Sequence, residues 1–133
     1  MTVWFLLQLS RAIALSLIDA IDAGAESKAW MYPAYLDLFA VVFAPPLIWA
    51  TLKHRGLYTW AFAVMYWTIS IVDHTGNFVT TSVVGPPSIA EDMSNPFLIP
   101  VIQTVIDAAF VVLLFLPTYR RLFFRTDGSA SGS

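Results

Sequence analysis

Four apolar segments of similar length follow one another along this chain and limit its fold more than any other feature. They cover roughly residues 3–23, 30–52, 58–84 and 96–118, and each reaches the ~20 residues that a membrane-spanning helix needs. The breaks between them are polar or rich in helix breakers, with the sequences GAESK, KHRG and GPPSIAEDMSNP. This pattern predicts four transmembrane helices joined by short loops.

Composition favours a membrane setting for these segments. Of the 133 residues, 58% are hydrophobic and 12% are charged, whereas soluble domains carry about 25% charged residues. The net charge of -2 gives no long-range field for nucleic acid, and the absence of cysteine excludes disulfides and thiolate metal sites. We therefore predict an all-α fold, an integral membrane four-helix bundle over residues 1–122, followed by a disordered tail, 123–133.

Basic residues predict the orientation of this bundle. The second loop and the C-terminal segment are flanked by Lys53, Arg55, Arg120, Arg121 and Arg125. The loops expected on the other side contain one base, Lys28. By the positive-inside rule both termini lie in the cytoplasm. The N-terminal apolar run has no basic region before it, so we interpret it as a retained first helix and not as a cleaved signal peptide.

Two acids interrupt the third and fourth segments close to mid-membrane. Asp73 lies eleven residues before the end of the third predicted helix, and Asp107 lies eleven residues after the start of the fourth. At ~1.5 Å per residue, both lie ~16 Å from the non-cytoplasmic boundary of a ~30 Å hydrocarbon core. A charged side chain at this depth costs ~2.5–3.5 kcal/mol on insertion scales, so such residues are functional candidates by default.

Helical spacing predicts that the polar residues face one another. Asp73 and Asn77 are four residues apart and share a face of the third helix, and Gln103 and Asp107 do the same on the fourth. We expect a single cavity on the non-cytoplasmic side. The catalytic candidates are Asp73, Asp107 and His74, and the substrate-binding candidates are Asp19, Asp37, Asn77, Gln103 and Trp67. A structural network of interhelical hydrogen bonds, averaging under ~1 kcal/mol each, is the alternative.

The first two predicted helices each contain one ambiguous feature. Arg11 lies near the middle of the first helix, where it either pairs with an acid or extends toward the cytoplasm. The eight residues between Arg11 and Asp19 favour the second arrangement. Pro45 and Pro46 lie inside the second helix and predict a kink or an unwound turn that widens the bundle.

Carboxyl, imidazole and amide groups in an apolar cavity suit proton transfer to a hydrophobic molecule. A carboxylic acid that stays protonated in such a place can act as a general acid, and the ring of Trp67 could stabilise a developing carbocation. The two histidines, His54 and His74, lie at different depths, which argues against bis-histidine haem ligation. No nucleotide-binding or zinc-helix motif is present, so we expect neither a metal nor a cofactor.

The arrangement of acids and prolines resembles a known family. The first helix ends in the acid-containing LSLIDAID, and the second begins with an acid followed by prolines in YLDLFAVVFAPPLIWATLKHRG. With a polar third helix and a basic tail, residues 10–122 resemble the EXPERA group, which includes the emopamil-binding sterol isomerases and the sigma-2 receptor-like proteins. The resemblance implies a lipid-like ligand that enters from the membrane, with Asp19 and Asp37 matching acids of the group's first two helices.

Three functional hypotheses follow from the sequence. The first is a membrane isomerase or cyclase that transfers protons on a sterol- or terpenoid-like lipid, although a receptor-like binder would have the same layout. The second is a non-enzymatic accessory subunit of a larger membrane complex. The third, a proton or ion pathway, ranks last because the cytoplasmic half contains few polar residues. Membrane lipids are expected partners, and a homodimer or a larger complex is left open.

Overall fold

The computed structural model describes residues 8–91 and 94–124, which form helices and connecting loops without a β-strand. A 3₁₀-helix, Gln8–Ile13, leads directly into α1 (Ala14–Asp22). The longer helices are α2 (Met31–Lys53), α3 (Leu57–Val84) and α4 (Leu98–Phe115), and the short α5 (Pro117–Phe124) follows them. Further 3₁₀ turns occur at Lys28–Trp30 and Ser88–Ala90. The all-α class is confirmed for the described residues.

The four predicted helices correspond to α1–α4, but two of their ends differ. Residues 3–7 of the first predicted helix lie outside the described residues. The fourth was predicted to continue to residue 118, which is wrong, because Leu116 adopts an extended conformation with ψ of 137°. Proline disfavours the α conformation in the residue before it, so Pro117 ends α4. Pro117 then opens α5, where its missing N–H is harmless.

The predicted disordered tail begins within α5. Phe123 and Phe124 are the last two residues of that helix, so the first two residues of the predicted tail are helical. Residues 125–133 lie outside the described residues.

The two prolines of α2 do not interrupt it. Met31–Lys53 is one continuous helix that contains Pro45 and Pro46, so the unwound turn considered above is absent from it. Both prolines are exposed, whereas Ala44 and Leu47 on either side of them are fully buried. The helix therefore keeps its buried face intact and loses two backbone donors near its outer face.

Gly24 ends α1 and reverses the chain. Its φ of 77° lies in the left-handed region that favours glycine. The N–H of Gly24 donates to the carbonyl of Ile21 at 3.0 Å, and the N–H of Ala25 donates to the carbonyl of Ala20 at 2.9 Å. This pair of bonds is the Schellman motif. It directs the chain into the loop that leads to α2, which packs against α1.

The helices pack in chain order, and their buried residues form two apolar clusters. The larger cluster joins α2, α3 and α4 and consists of Ala40, Ala44, Leu47, Ala63, Tyr66, Trp67 and Leu114. The smaller cluster joins α1 to the start of α2 and consists of Ala14, Leu17, Ile21, Trp30 and Ala34. The side chains of the candidate site lie between these clusters along α2 and α3.

The bundle has two chemically different ends. We call one the basic end, formed by the α2–α3 loop and α5, where Lys53, Arg55, Arg120 and Arg121 lie. Trp60 of α3 closes this end, since its Nε1 donates to the carbonyl of Leu114 at 2.8 Å and its ring lies 5.1 Å from that of Phe115. We call the other the loop end, formed by residues 23–30, 85–91 and 94–97.

A contact between two loops closes the loop end. The backbone N–H of Ser88 donates to Oε1 of Glu26 at 2.7 Å. Hydrogen bonds from the side chain and the backbone of Ser88 lower the pKa of Glu26 from its ordinary value of 4.5 and so favour its charged form. This contact holds the α3–α4 loop beside the α1–α2 loop.

Two of the described helices are long and apolar enough to cross a membrane. One is α2 with its preceding turn, Lys28–Lys53, with a mean hydropathy of 1.6, and the other is α4, with a mean hydropathy of 2.3. α3 has 28 residues, which exceeds both, but its polar side chains lower its hydropathy. Length and apolar composition therefore make α2 and α4 the two candidate membrane spans among the described residues.

Candidate functional site

Six polar side chains form a layer between the two apolar clusters. They come from the first 3₁₀-helix, α2, α3 and α4, and they are Arg11, Asp37, Ser70, Asp73, His74 and Asp107. We call this group the polar layer. Five of its members are buried, with exposures of 7% or less, and the side chain of Asp37 is 20% exposed. Asp37 is therefore the most accessible member.

Arg11 holds three members of the layer together. Its Nε donates to Oδ1 of Asp37, its Nη2 forms an ion pair with Oδ2 of Asp73, and its Nη1 donates to the hydroxyl of Ser70 at 3.2 Å. The fixed fork of a guanidinium suits such simultaneous contacts. The favoured expectation that Arg11 extends toward the cytoplasm is wrong, because its acid partners lie on α2 and α3 and not on its own helix.

A second pair links α3 to α4. Nδ1 of His74 lies 2.9 Å from Oδ2 of Asp107, and both side chains are almost completely buried. Within the part of the chain that the structure describes, Nε2 of His74 and Oδ1 of Asp73 have no hydrogen-bond partner. A buried polar atom without a partner costs about 1–3 kcal/mol.

A cavity of about 320 Å³ lies beside the polar layer at the loop end. Most of its wall is apolar, with residues from α1, the two loops and the start of α4, including Leu17, Trp30 and Ile99. Its polar side chains are Asp37, Asn77 and Thr81. Asp37 thus belongs to the cavity wall and to the polar layer at once.

The predicted site residues divide into three groups. Asp37 and Asn77 line the cavity, as expected for substrate-binding residues. The three predicted catalytic residues are buried in the polar layer and do not line the cavity, and they are Asp73, His74 and Asp107. The remaining candidates belong neither to the polar layer nor to the cavity wall, and they are Asp19, Gln103 and Trp67.

The three candidates that belong to neither the polar layer nor the cavity wall have different surroundings. Asp19 is exposed, because the buried face of α1 consists of Ala14, Leu17 and Ile21. Trp67 belongs to the larger apolar cluster and stacks on Phe110, with 4.8 Å between ring centroids. Gln103 is half-buried on α4. The expected single cavity therefore contains polar candidates of α2 and α3 but none of α4, and Arg11 takes the place in the polar layer that the first helix was expected to fill with Asp19.

Several members of the site, among them Ser70, Trp30 and Thr81, were not among the candidates identified from the sequence. Ser70 lies three residues before Asp73 on the same helical face, so its spacing carried a usable signal. Trp30 is 4% exposed and lines the cavity, although a tryptophan near a helix end usually lies at a membrane interface.

Comparison with known proteins adds no assignment to this geometry. The chain matches no protein-family model, no curated protein and no solved structure.

Proposed function

We propose that this chain is an integral membrane four-helix protein that binds a sterol- or terpenoid-like lipid in its cavity. In this proposal it transfers a proton to or from that lipid, as an isomerase or a cyclase, and both of its termini lie in the cytoplasm. The observation that carries the proposal is the position of Asp37, which lines the cavity and also pairs with Arg11 in the polar layer.

Outward-facing side chains support the membrane setting. Large apolar residues are exposed along α4, among them Leu98, Val105 and Val112, and soluble monomers rarely expose such a continuous apolar surface. The exposed hydroxyls of Thr68 and Ser82 on α3 donate to carbonyl oxygens of their own helix, three or four residues earlier. Internal bonding of this kind is required where no water is available.

Charge distribution supports the orientation. The basic end contains Lys53, Arg55, Arg120 and Arg121, and the loop end contains Lys28 among the described residues. Basic residues that flank membrane helices are concentrated on the cytoplasmic side. The cavity then faces the non-cytoplasmic half of the membrane.

The charges of the polar layer support proton transfer. The layer contains one arginine, one histidine and three aspartates. Three acids therefore accompany two basic side chains in this layer. Buried charge is costly unless it is balanced, so an excess of acids favours exchange of a proton with a bound molecule at Asp37, the most accessible member.

We propose different roles for the candidate residues. Asp37 exchanges the proton with the ligand, and Asn77 and Thr81 bind the ligand's polar group. Asp73 pairs with Arg11 and so positions it, whereas His74 and Asp107 form the second pair of the layer and act through it. An isomerisation adds a proton at one carbon and removes a proton from another, so Asp37 returns to its starting state without a co-reactant.

The cavity volume limits the ligand. A volume of about 320 Å³ lies near the lower end of the ~300–1,000 Å³ that ligand pockets occupy. It suits a small terpenoid or the head of a larger lipid whose apolar body extends into the membrane.

A second candidate is the accessory subunit. The ion pairs of Arg11 tie the first 3₁₀-helix, α2 and α3 together, which a purely structural network would also do. On this hypothesis, the exposed apolar face of α4 packs against a larger membrane protein, and the cavity binds no dedicated ligand.

Photolabelling of the full-length chain in membranes tests the proposal. We expect a prenyl or sterol probe with a diazirine group to label cavity residues such as Leu17, Thr81 and Ile99, and an unlabelled lipid of the same class to compete. Thr81→Trp should block labelling because it fills the cavity, whereas Ser82→Trp changes the exposed neighbouring residue and should not. Labelling confined to the outer face of α4 and insensitive to Thr81→Trp would favour the accessory subunit.

A further inference from the structure

The basic end of the bundle contains positive charge without any acidic neighbour. Residues 38–72 and 108–124, which form this half of the described chain, contain no Asp or Glu, yet they include Lys53, Arg55, Arg120 and Arg121. Beyond the described residues the tail adds one base, Arg125, and one acid, which leaves the balance unchanged. The positive charge of this end is therefore available to an anion from outside the chain.

Two of these arginines line a cavity of about 350 Å³. The other residues of its wall are Phe115, Pro117 and Phe124, so it combines two cationic groups with an apolar surface. α5 is fixed in this position because Phe123 packs against the larger apolar cluster.

The guanidinium of Arg120 lies over two aromatic rings. Its Cζ is 5.8 Å from the ring centroid of Trp60 and 5.5 Å from that of Phe124. Contact with aromatic faces orients an arginine and leaves its N–H groups available to another acceptor. Arg120 is thus arranged for an anionic ligand before that ligand binds.

We propose that this cavity binds the phosphate group of an anionic phospholipid, with its acyl chain against Phe115 and Phe124. Arginine forms paired hydrogen bonds with phosphate oxygens, and basic pockets beside membrane helices on the cytoplasmic side attract anionic lipid headgroups. The aromatic wall favours a lipid over a free phosphate ion, which has no apolar part to bury. This inference rests on the proposed membrane setting and is independent of the proton-transfer chemistry at the other end.

Lipid retention by the purified full-length chain tests this site. We expect native mass spectrometry to show that the protein retains phosphatidylglycerol in preference to phosphatidylcholine. Replacing both arginines, as Arg120→Gln with Arg121→Gln, should lower the affinity for phosphatidylglycerol about 30-fold, since each basic residue near an anionic lipid contributes about fivefold. The matched control, Lys53→Gln with Arg55→Gln, removes the same charge from the same end outside the cavity and should lower the affinity less than threefold.

Equal losses in the two double variants would overturn the site, because they would indicate diffuse attraction to the whole basic end. Inorganic phosphate should not displace the bound lipid at millimolar concentration, and displacement would show that phosphate alone is the ligand. If the Arg120→Gln, Arg121→Gln variant does not fold, Arg120→Lys with Arg121→Lys takes its place, because it keeps the charge and removes the paired hydrogen bonds. Undiminished retention of phosphatidylglycerol in the lysine variant would also contradict the proposal. A chain that fails to enter vesicles contradicts the proposed function, whereas a chain that enters without lipid preference contradicts this inference alone.

Discussion

Replacement of Arg11 with glutamine should lower the free energy of unfolding by about 3–5 kcal/mol, the usual effect of removing one partner from a buried ion pair. The change leaves the carboxylates of Asp37 and Asp73 without their shared cation in the middle of the bundle. Glutamine can still donate to one acceptor, but it carries no charge. Thermal or denaturant-induced unfolding in detergent micelles measures the effect.

Two further variants test whether the loss of stability comes from the ion pairs of Arg11. Arg55→Gln removes an exposed arginine from the α2–α3 loop and should change the stability by less than about 0.5 kcal/mol. Adding Asp73→Asn to Arg11→Gln should restore part of the lost stability, because it removes one of the unpaired charges. A loss for Arg11→Gln no larger than that for Arg55→Gln would show that the ion pairs do not hold the layer together.

Replacement of Asp37 with asparagine should lower turnover by the ~10²–10⁴-fold typical of a lost general acid or base. Asparagine keeps the size of the side chain and an acceptor for Arg11, so the protein should still fold. His74→Gln and Asp107→Asn should cause smaller losses, since these residues act through the layer. Product formation from sterol and prenylated substrates, in membranes that contain each variant at matched levels, measures these differences.

Asp19→Asn is the matched control for this change. It replaces a carboxyl group on the exposed side of α1, outside the cavity wall. Turnover should stay within about twofold of that of the unsubstituted protein. Equal turnover in the Asp37 and Asp19 variants would remove Asp37 from the reaction. If the Asp37 and Asp73 variants both disappear from the membrane, the carboxylates are structural, and the accessory-subunit hypothesis becomes the stronger one.

The helices could be predicted because length and apolar composition determine them directly. α2 and α3 lie within two residues of their predicted ends, since polar or helix-breaking residues interrupt the apolar runs there. α5 was not predicted, because the residues after Pro117 are polar or basic up to Arg121 and were assigned to the end of the fourth helix and a basic tail. Pro45 and Pro46 predicted a kink or an unwound turn, and of these the unwound turn is absent, because α2 stays continuous with both prolines on its exposed side.

The site was predictable where residues share one helix or lie at the same depth in neighbouring helices. The spacing of Asp73 and Asn77 correctly placed them near one face of α3, and their depth indicated that they are buried or line a cavity. The partners of Arg11 could not be found in this way, because residue spacing on one helix carries no information about neighbours on other helices. For the same reason Asp19 was expected in the cavity, although the buried face of α1 is its apolar side.

Incorporation of solvent deuterium tests proton transfer at Asp37 most directly. Membranes that contain the full-length chain are incubated in D₂O with a panel of unsaturated sterol and prenyl lipids, and the mass of each recovered lipid is measured. We expect deuterium at a carbon atom of one lipid class, greatly reduced incorporation with Asp37→Asn, and unchanged incorporation with Asp19→Asn. Recovery of every lipid without added deuterium, or incorporation that does not depend on Asp37, would contradict proton transfer at this site.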